Sequence, residues 1–447
     1  MLIRFTAANH RSLKEPVELS LVAVDDERDE VRHFDRLHEG ILPVAAIYGP
    51  NASGKSNVVD ALSWLSHAVR HSLRLWDDFI PREPFRFAGF SQQPSVFELD
   101  FMFNDVRHTY TLQLTEAGVE FEELLSYPER KARRLFVRDH ANLTFRRGVL
   151  GAGSIKEILT PTTLALSLAH RFEVSELRGP ASFVGNISTP FIRRRGGSGA
   201  YAGPRVMGTI GPSTTRLFLQ ARRSSGVSGQ QSLFTSSTQE DVDTALSLLR
   251  FADLGIEDVE VVELPDSAAD RSRYEIRLVH RVGDERELFE LGEESDGTRM
   301  WFRLLSPALA ALARGIPLVL DELDASLHPL LSAKLIEIFH SPETNPKNAQ
   351  LIFTTHDTTL MKGLNRDEVW FTEKGSDGAT ALTALAEYGG DRVRKSLNIE
   401  RAYLHGRFGA LPNLRESALL AVSDAADDTE DPDGHPEESQ DSDDTSQ

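Results

Sequence analysis

Pro43-Val44-Ala45-Ala46-Ile47-Tyr48-Gly49-Pro50-Asn51-Ala52-Ser53-Gly54-Lys55-Ser56 is the stretch that decides the fold. Its first six residues are apolar or aromatic and read as a buried strand running straight into Gly49. Gly49 to Ser56 fits G-x-x-x-x-G-K-[ST] in full, and Val58, Leu62, Leu65, Val69 and Leu73 then recur at helical spacing. Strand, glycine loop and helix together form a phosphate cradle. The glycines let the backbone wrap closely, successive N–H groups point inward, and the helix dipole adds to the attraction for anions. Lys55 is expected to reach the β- and γ-phosphates of a nucleoside triphosphate, and the Ser56 hydroxyl to bind Mg²⁺. Asn57 opens the helix beside them.

Pro317-Leu318-Val319-Leu320-Asp321-Glu322 is the second piece. An apolar strand ending in two acids delivers them to a sheet edge, where open α/β folds bind ligands. Asp321 is expected to hold Mg²⁺, and Glu322 to orient and polarise the attacking water. Three further elements fall in order. Glu294-Ser295-Asp296-Gly297-Thr298 precedes a helix, with Ser295 26 residues before Asp321. Asp324-Ala325-Ser326-Leu327-His328 follows the acid pair. His356 ends the apolar strand Leu351–Thr355, 34 residues after Glu322, where an imidazole can hydrogen-bond a γ-phosphate.

Around these motifs, Ile3–Ala7 reads as an opening strand. Phe97, Leu99, Phe101 and Phe103 alternate with Glu98, Asp100 and Met102 up to a turn at Asn104-Asp105, and Tyr110, Leu112 and Leu114 alternate again, which predicts a hairpin with one buried face. Ile155 to Phe172 reads as helical. Thr189 to Gly229 is rich in Gly, Pro, Ser and Arg with little periodicity and reads as a long loop in a partly helical insertion. Tyr274, Ile276 and Leu278 alternate as a strand, and Met300, Leu304, Leu305, Ala308 and Leu312 form a helical stripe.

The chain has 447 residues, a net charge of −19 and no cysteine, which excludes disulfides, cysteine-ligated metal sites and cysteine-nucleophile catalysis. No apolar run is long enough for a signal peptide or a membrane span, so a cytoplasmic protein without membrane contact is expected. Eleven acids and no Lys or Arg lie between Ser423 and Gln447, leaving −8 for the rest. Such a tail cannot bury enough surface to order itself and reads as disordered. It is open between a solubilising tail and a nucleic-acid mimic. Two other stretches are basic: Arg130–Arg147 holds seven Lys/Arg against Asp139 alone, and Arg193–Arg223 holds seven Arg and no acid. They read either as nucleic-acid contacts or as solvated faces and docks for an acidic partner.

The motif order of phosphate loop, signature, acid pair, D-loop and switch histidine resembles the ABC-type ATPase superfamily. Phe5-Thr6-Ala7-Ala8-Asn9-His10-Arg11-Ser12-Leu13 is similar to the opening of its RecF, SMC and OLD branch. Tyr403-Leu404-His405-Gly406-Arg407-Phe408-Gly409-Ala410-Leu411-Pro412 resembles the C-terminal signature of the RloA-like, AAA-family ATP-binding proteins of bacterial defence operons. The resemblance implies an α/β P-loop NTPase head of the ABC type. Residues 1–150 would form an N-terminal lobe with the phosphate loop and a mixed sheet, and 251–414 a C-terminal lobe with a parallel core sheet. Between them, 151–250 would be an inserted, partly helical arm, and 415–447 a disordered acidic tail. It also implies a head-to-tail dimer, in which Ser295 and Gly297 contact ATP held by the partner and Asp324 links the two sites. Asn9 and Arg11 would lie near the adenine or phosphates.

The signature reads E-S-D-G where L-S-G-G is usual, so Asp296 places a negative charge near a phosphate site. Gln113 and Gln220 are both candidates for the Q-loop glutamine. The 266 residues between Lys55 and Asp321 leave room for a short arm but not for a long coiled coil. A separate effector protein is expected, because too little ordered chain follows His356 for a nuclease domain. A RecF-like DNA-repair loader and a scaffold that uses ATP only to assemble are the rival readings.

Overall fold

The computed structural model describes residues 1–76, 78–129, 131–172, 174–190, 192, 214–215, 217–219, 239–253, 255–264, 273–325, 327–388 and 399–405. The chain divides into two compact units, Met1–Ala410 and Leu411–Gln447, and every described residue lies in the first.

Val44–Tyr48 is buried at all of its positions. A strand with two buried faces needs cover on both sides and a neighbour at each edge. It is accordingly the middle strand of a five-stranded sheet, in the order Pro317–Leu320, Gln350–Thr354, Val44–Tyr48, Val369–Lys374, Thr380–Ala384. The first four are parallel, and Thr380–Ala384 closes the edge antiparallel. Parallel neighbours require crossovers. Helix Pro329–His340 makes the one from Pro317–Leu320 to Gln350–Thr354, with Pro329 at its first turn, where the missing N–H is not needed.

Helix Lys55–Leu75 follows the phosphate loop and buries Val58, Leu62, Leu65 and Val69 as their spacing predicts. It ends where Trp76 turns extended and buries its ring against Trp64, 5.5 Å between centroids.

A second sheet of seven antiparallel strands runs in the order Asn142–Phe145, Arg133–Asp139, Val119–Tyr127, Val106–Leu114, Ser95–Phe103, Leu2–Ala8, Val17–Ser20. The hairpin at its centre turns on Asn104 (φ 49°) and Asp105 (φ 57°), two left-handed residues matching the twist of the strands. A third sheet joins Ile256–Leu264, Arg273–Val282 and Glu285–Glu290.

Of the stretch 151–250, helices Ala152–Ile158, Ala165–Arg171, Arg178–Gly185 and most of Gln239–Ala252 are described, and Ile155, Leu168 and Val184 of the first three belong to the main core. The single helix expected over Ile155–Phe172 is two helices, broken around Pro161, where Thr160, Thr162 and Thr163 hydrogen-bond one another. Helix Ala165–Arg171 is anchored by the fully buried Glu122. Its carboxylate accepts the N–H groups of Ala165 and Leu166 (both 2.8 Å) and the Tyr110 hydroxyl (2.9 Å), with the Arg138 guanidinium at 3.9 Å. The helix dipole and the arginine together compensate a carboxylate held away from water.

Candidate functional site

The phosphate loop leaves the middle strand with Gly49 at φ 151° and enters the helix with Gly54 at φ 108°. Gly54 is the helix N-cap and supplies no side-chain partner, so the first N–H groups of the helix stay available to an anion. Both glycines are also needed for space. A Cβ on Gly49 would collide with Thr372, and one on Gly54 with Thr380. These two threonines come from the two strands on one side of the middle strand, Val369–Lys374 and Thr380–Ala384, and fix the loop. The Ser53 hydroxyl lies 2.5 Å from Thr372 Oγ1, and Thr380 Oγ1 donates to the Ser53 carbonyl at 2.8 Å. Lys55 is only 5% exposed, and its ammonium donates to the carbonyls of Gly49 (2.9 Å) and Pro50 (3.1 Å). Burial pushes its pKa below the usual lysine range, while Glu322, Asp321 and Asp324 pull it back. The loop is thus a pre-shaped cradle with its cation folded inward, a good fit to a triphosphate.

The acids arrive from the adjacent strand ends. Asp321 and Glu322 follow Pro317–Leu320 directly, and Thr354 ends the neighbouring strand. Thr354 Oγ1 donates to Asp321 Oδ1 (2.6 Å) and accepts the Glu322 N–H (2.7 Å). Glu322 sits at φ 54°, a left-handed conformation that costs a non-glycine residue about 1 kcal/mol or more and persists only where its surroundings hold it. Two residues further along each of the same two segments, both carboxylate oxygens of Asp324 lie 3.2 Å from the backbone N–H of His356. Asp321, Glu322, Asp324 and His356 are therefore tied together across two parallel strands. Nothing in the sequence marked Thr354, Thr372 or Thr380, because a strand threonine carries no local signal of a partner that lies 32 or 33 residues away for Thr354 and more than 300 for Thr372 and Thr380.

Asn51, Ala52, Gly54, Lys55, Ser56, Asn57, Asp321, Glu322 and His356 all border one cavity of about 1870 Å³. Arg11 borders it too, but its guanidinium is held by Asp60 (3.2 Å) and Glu83 (3.1 Å). Asn9 is buried. Its side-chain amide donates to the carbonyls of Phe90, Gln93 and Pro94, and its Oδ1 accepts from Phe85 N–H. Asn9 therefore fastens the 85–94 loop rather than facing the phosphates. Asn57 donates to Ser12 Oγ (2.5 Å), locking the opening turn to the helix.

Ser295 caps helix Asp296–Arg314, its Oγ accepting the Thr298 N–H at 3.1 Å. The flank of that helix, including Met300, Arg303 and Arg314, borders the cavity, whereas Ser295 and Gly297 do not. The charge of Asp296 is matched locally, because Arg299 one turn on pairs with it.

Of the basic stretch 130–147, Arg138 is buried and donates to the carbonyls of His140, Thr160, Pro161 and Thr163. Arg133, Arg134 and Arg146 pair with Glu129, Glu123 and Glu176. Gln113 lies inside the seven-stranded sheet, opposite Val96 and Phe121. Arg130, Ser326, Gln220, nearly all of 193–223, the stretch 406–412 and the acidic tail lie outside the described residues.

A parallel sheet with a phosphate loop after its middle strand and an acid pair at the end of a neighbouring strand defines a P-loop NTPase head. The family described as "AAA domain, putative AbiEii toxin, Type IV TA system" matches residues 44–148 and 225–362, more than half of the chain, and the chain belongs to that family. Among solved structures it is similar to an SMC head bound to the C-winged helix domain of ScpA, with 12% identity and a TM-score of 0.46 over 86% of this chain and 97% of that one. It is also similar to the SMC head domain from Thermotoga maritima, with 17% identity and a TM-score of 0.38 over 86% and 98%. No curated protein matches it. Among the described residues no helix is long and apolar enough to cross a membrane.

Proposed function

We propose that this chain binds and hydrolyses ATP as a two-state switch whose site is completed by a second copy packed head-to-tail. The observation that carries the reading is the convergence of Lys55 with Asp321 and Glu322 on one cavity, with Glu322 held in a left-handed turn by Thr354.

Lys55 would exchange its two loop carbonyls for phosphate oxygens, and Ser56 and Asp321 would hold Mg²⁺. Bound there, the ion would neutralise charge that develops on the phosphates. Glu322 would take a proton from the attacking water, and His356 would hydrogen-bond the terminal phosphate. Ser295 and Gly297 lie at a helix N-terminus away from their own chain's cavity, which suits contact with a partner's nucleotide. Asp324, bonded to the His356 backbone, would relay between the two sites.

The sequence resemblance to proteins of bacterial defence operons supports a sensor or regulatory subunit that acts through a separate effector, and the family description, which names a toxin of a type IV TA system, fits a place in such a system. The pairing of most arginines of 130–147 argues against that stretch as a nucleic-acid surface.

The test is Lys55→Ala, followed by nucleotide binding and phosphate release. The proposal expects loss of both, with turnover down about 100-fold or more. Unchanged binding and turnover would overturn it.

A further inference from the structure

We infer that Asp253, His280 and Glu294 form a site for a divalent transition-metal ion of the zinc class, built against the signature loop and separate from the nucleotide cavity. One oxygen of each carboxylate and one ring nitrogen of His280 lie within 4.8 Å of one another, and all three residues are of intermediate exposure. They come from three elements: the end of helix Gln239–Ala252, the strand Arg273–Val282, and the residue just before the signature Ser295.

The surroundings are shaped for this approach. Gly255 separates Asp253 from His280, and a Cβ there would sit 3.0 Å from His280 Nδ1 and 3.2 Å from Asp253 Oδ1. The Gly255 N–H donates to that oxygen at 2.9 Å. The Phe289 ring packs edge-on to the imidazole at 4.8 Å and fixes its plane.

Charge is the reason to expect an ion. His280 Nε2 lies 2.7 Å from Glu294 Oε1, and the side chain of Glu294 is only 7% exposed. The imidazole is paired with Glu294, and the Asp253 carboxylate lies within 4.8 Å of both, so a ring that can carry at most one positive charge faces two acids. Arginines near them in sequence are engaged elsewhere: Arg250 donates to the Glu257 carbonyl, Arg281 pairs with Glu257 (3.1 Å), and Arg299 with Asp296 and the Gly292 carbonyl. A divalent cation would neutralise both acids at once. One imidazole and two carboxylate oxygens make a donor set of intermediate hardness, suited to Zn²⁺, with a fourth position left for water. Bonds of about 2.0–2.2 Å place tetrahedral ligands about 3.3 Å apart, so closing on the ion needs only small side-chain rotations. The bound ion would pin Glu294, and with it Ser295, to the third sheet, and so set the signature loop before a partner's nucleotide arrives.

The test is calorimetric titration of the metal-stripped full chain with zinc chloride at neutral pH and without nucleotide. Its outcome is therefore independent of whether ATP is hydrolysed. The His67→Ala/His71→Ala variant serves as a control, since those rings lie 4.4 Å apart on the phosphate-loop helix and offer a rival site. Expected is one ion per chain, retained in that control and weakened about 100-fold in both Asp253→Asn and His280→Gln. Zinc should also raise the melting temperature of the wild type and not that of Asp253→Asn. If His280→Gln fails to fold, Asp253→Asn decides by the same readouts. Absence of saturable uptake, or uptake unchanged in the folded site variants, would overturn the proposal. In that case the cluster is a His280–Glu294 pair with Asp253 beside it.

Discussion

Removing one hydroxyl should separate positioning of the base from nucleotide binding. Thr354→Val keeps the β-branched shape and the strand pairing of Gln350–Thr354, and deletes only Oγ1. That atom donates to Asp321 Oδ1 at 2.6 Å and accepts the Glu322 N–H at 2.7 Å, at a fully buried position. A hydrogen bond to a carboxylate contributes about 1.5–3 kcal/mol, and a buried N–H left without a partner costs about 1–3 kcal/mol. Asp321 is half-buried and recovers part of its loss from water. The net destabilisation should be about 3 kcal/mol, a fall of about 5 °C in the thermal midpoint.

The larger effect falls on turnover. Glu322 is left-handed at φ 54°, and without its N–H acceptor the turn can relax toward an ordinary conformation. Displacing a catalytic carboxylate by about 1 Å costs about 100-fold in rate, equivalent to about 2.7 kcal/mol. The Michaelis constant for ATP should change less than about threefold, because Lys55 and the phosphate loop are untouched. The assay is steady-state phosphate release alongside thermal melts, for Thr354→Val and Thr354→Ser. Serine keeps the hydroxyl and should restore most of the rate. Wild-type turnover in Thr354→Val, or a loss that serine fails to rescue, would refute the reasoning.

Gly54→Ala puts a Cβ into Thr380 at φ 108°, so nucleotide affinity should fall at least about tenfold and the melting temperature should drop; a fluorescent ATP analogue and a melt would show it. His108, 6% exposed and stacked on Phe101, has its pKa lowered by burial from 6.5 to about 4. Between those values the unfolded chain binds the proton and the folded one does not, so stability rises with pH across the window. Acidification from the upper to the lower value should remove about 3 kcal/mol, and His108→Phe should show a flatter pH dependence of melting; equal slopes would contradict this assignment.

Local patterns were legible where the chemistry is local. The phosphate loop, its helix, the Asn104-Asp105 hairpin and the acid pair can each be read from fewer than about twenty residues, because glycine, turn chemistry and periodicity act over that range. Long-range pairing was not legible. Arg138 sits in a run of basic residues and looks like surface charge, yet it is buried because carbonyls of the Thr160–Thr163 segment and the carboxylate of Glu122 surround it. Asn9 belongs to an opening motif suggestive of nucleotide contact, but its amide is satisfied by carbonyls from 90–94. Thr354 is the same case at the site itself: its meaning depends on Asp321 and Glu322, more than thirty residues away. The break inside 155–172 was signalled by Pro161, and the apolar periodicity on either side hid it.

The most direct test of the central claim is the molecular mass of Glu322→Gln in ATP, measured by light scattering beside the wild type and the same variant in ADP. The variant keeps the phosphate loop and the signature and lacks the base. A switch that closes on ATP predicts a dimer of Glu322→Gln that persists in ATP and is absent in ADP, while the wild type turns over and returns to monomer. A mass that is the same with ATP, with ADP and without nucleotide would contradict it.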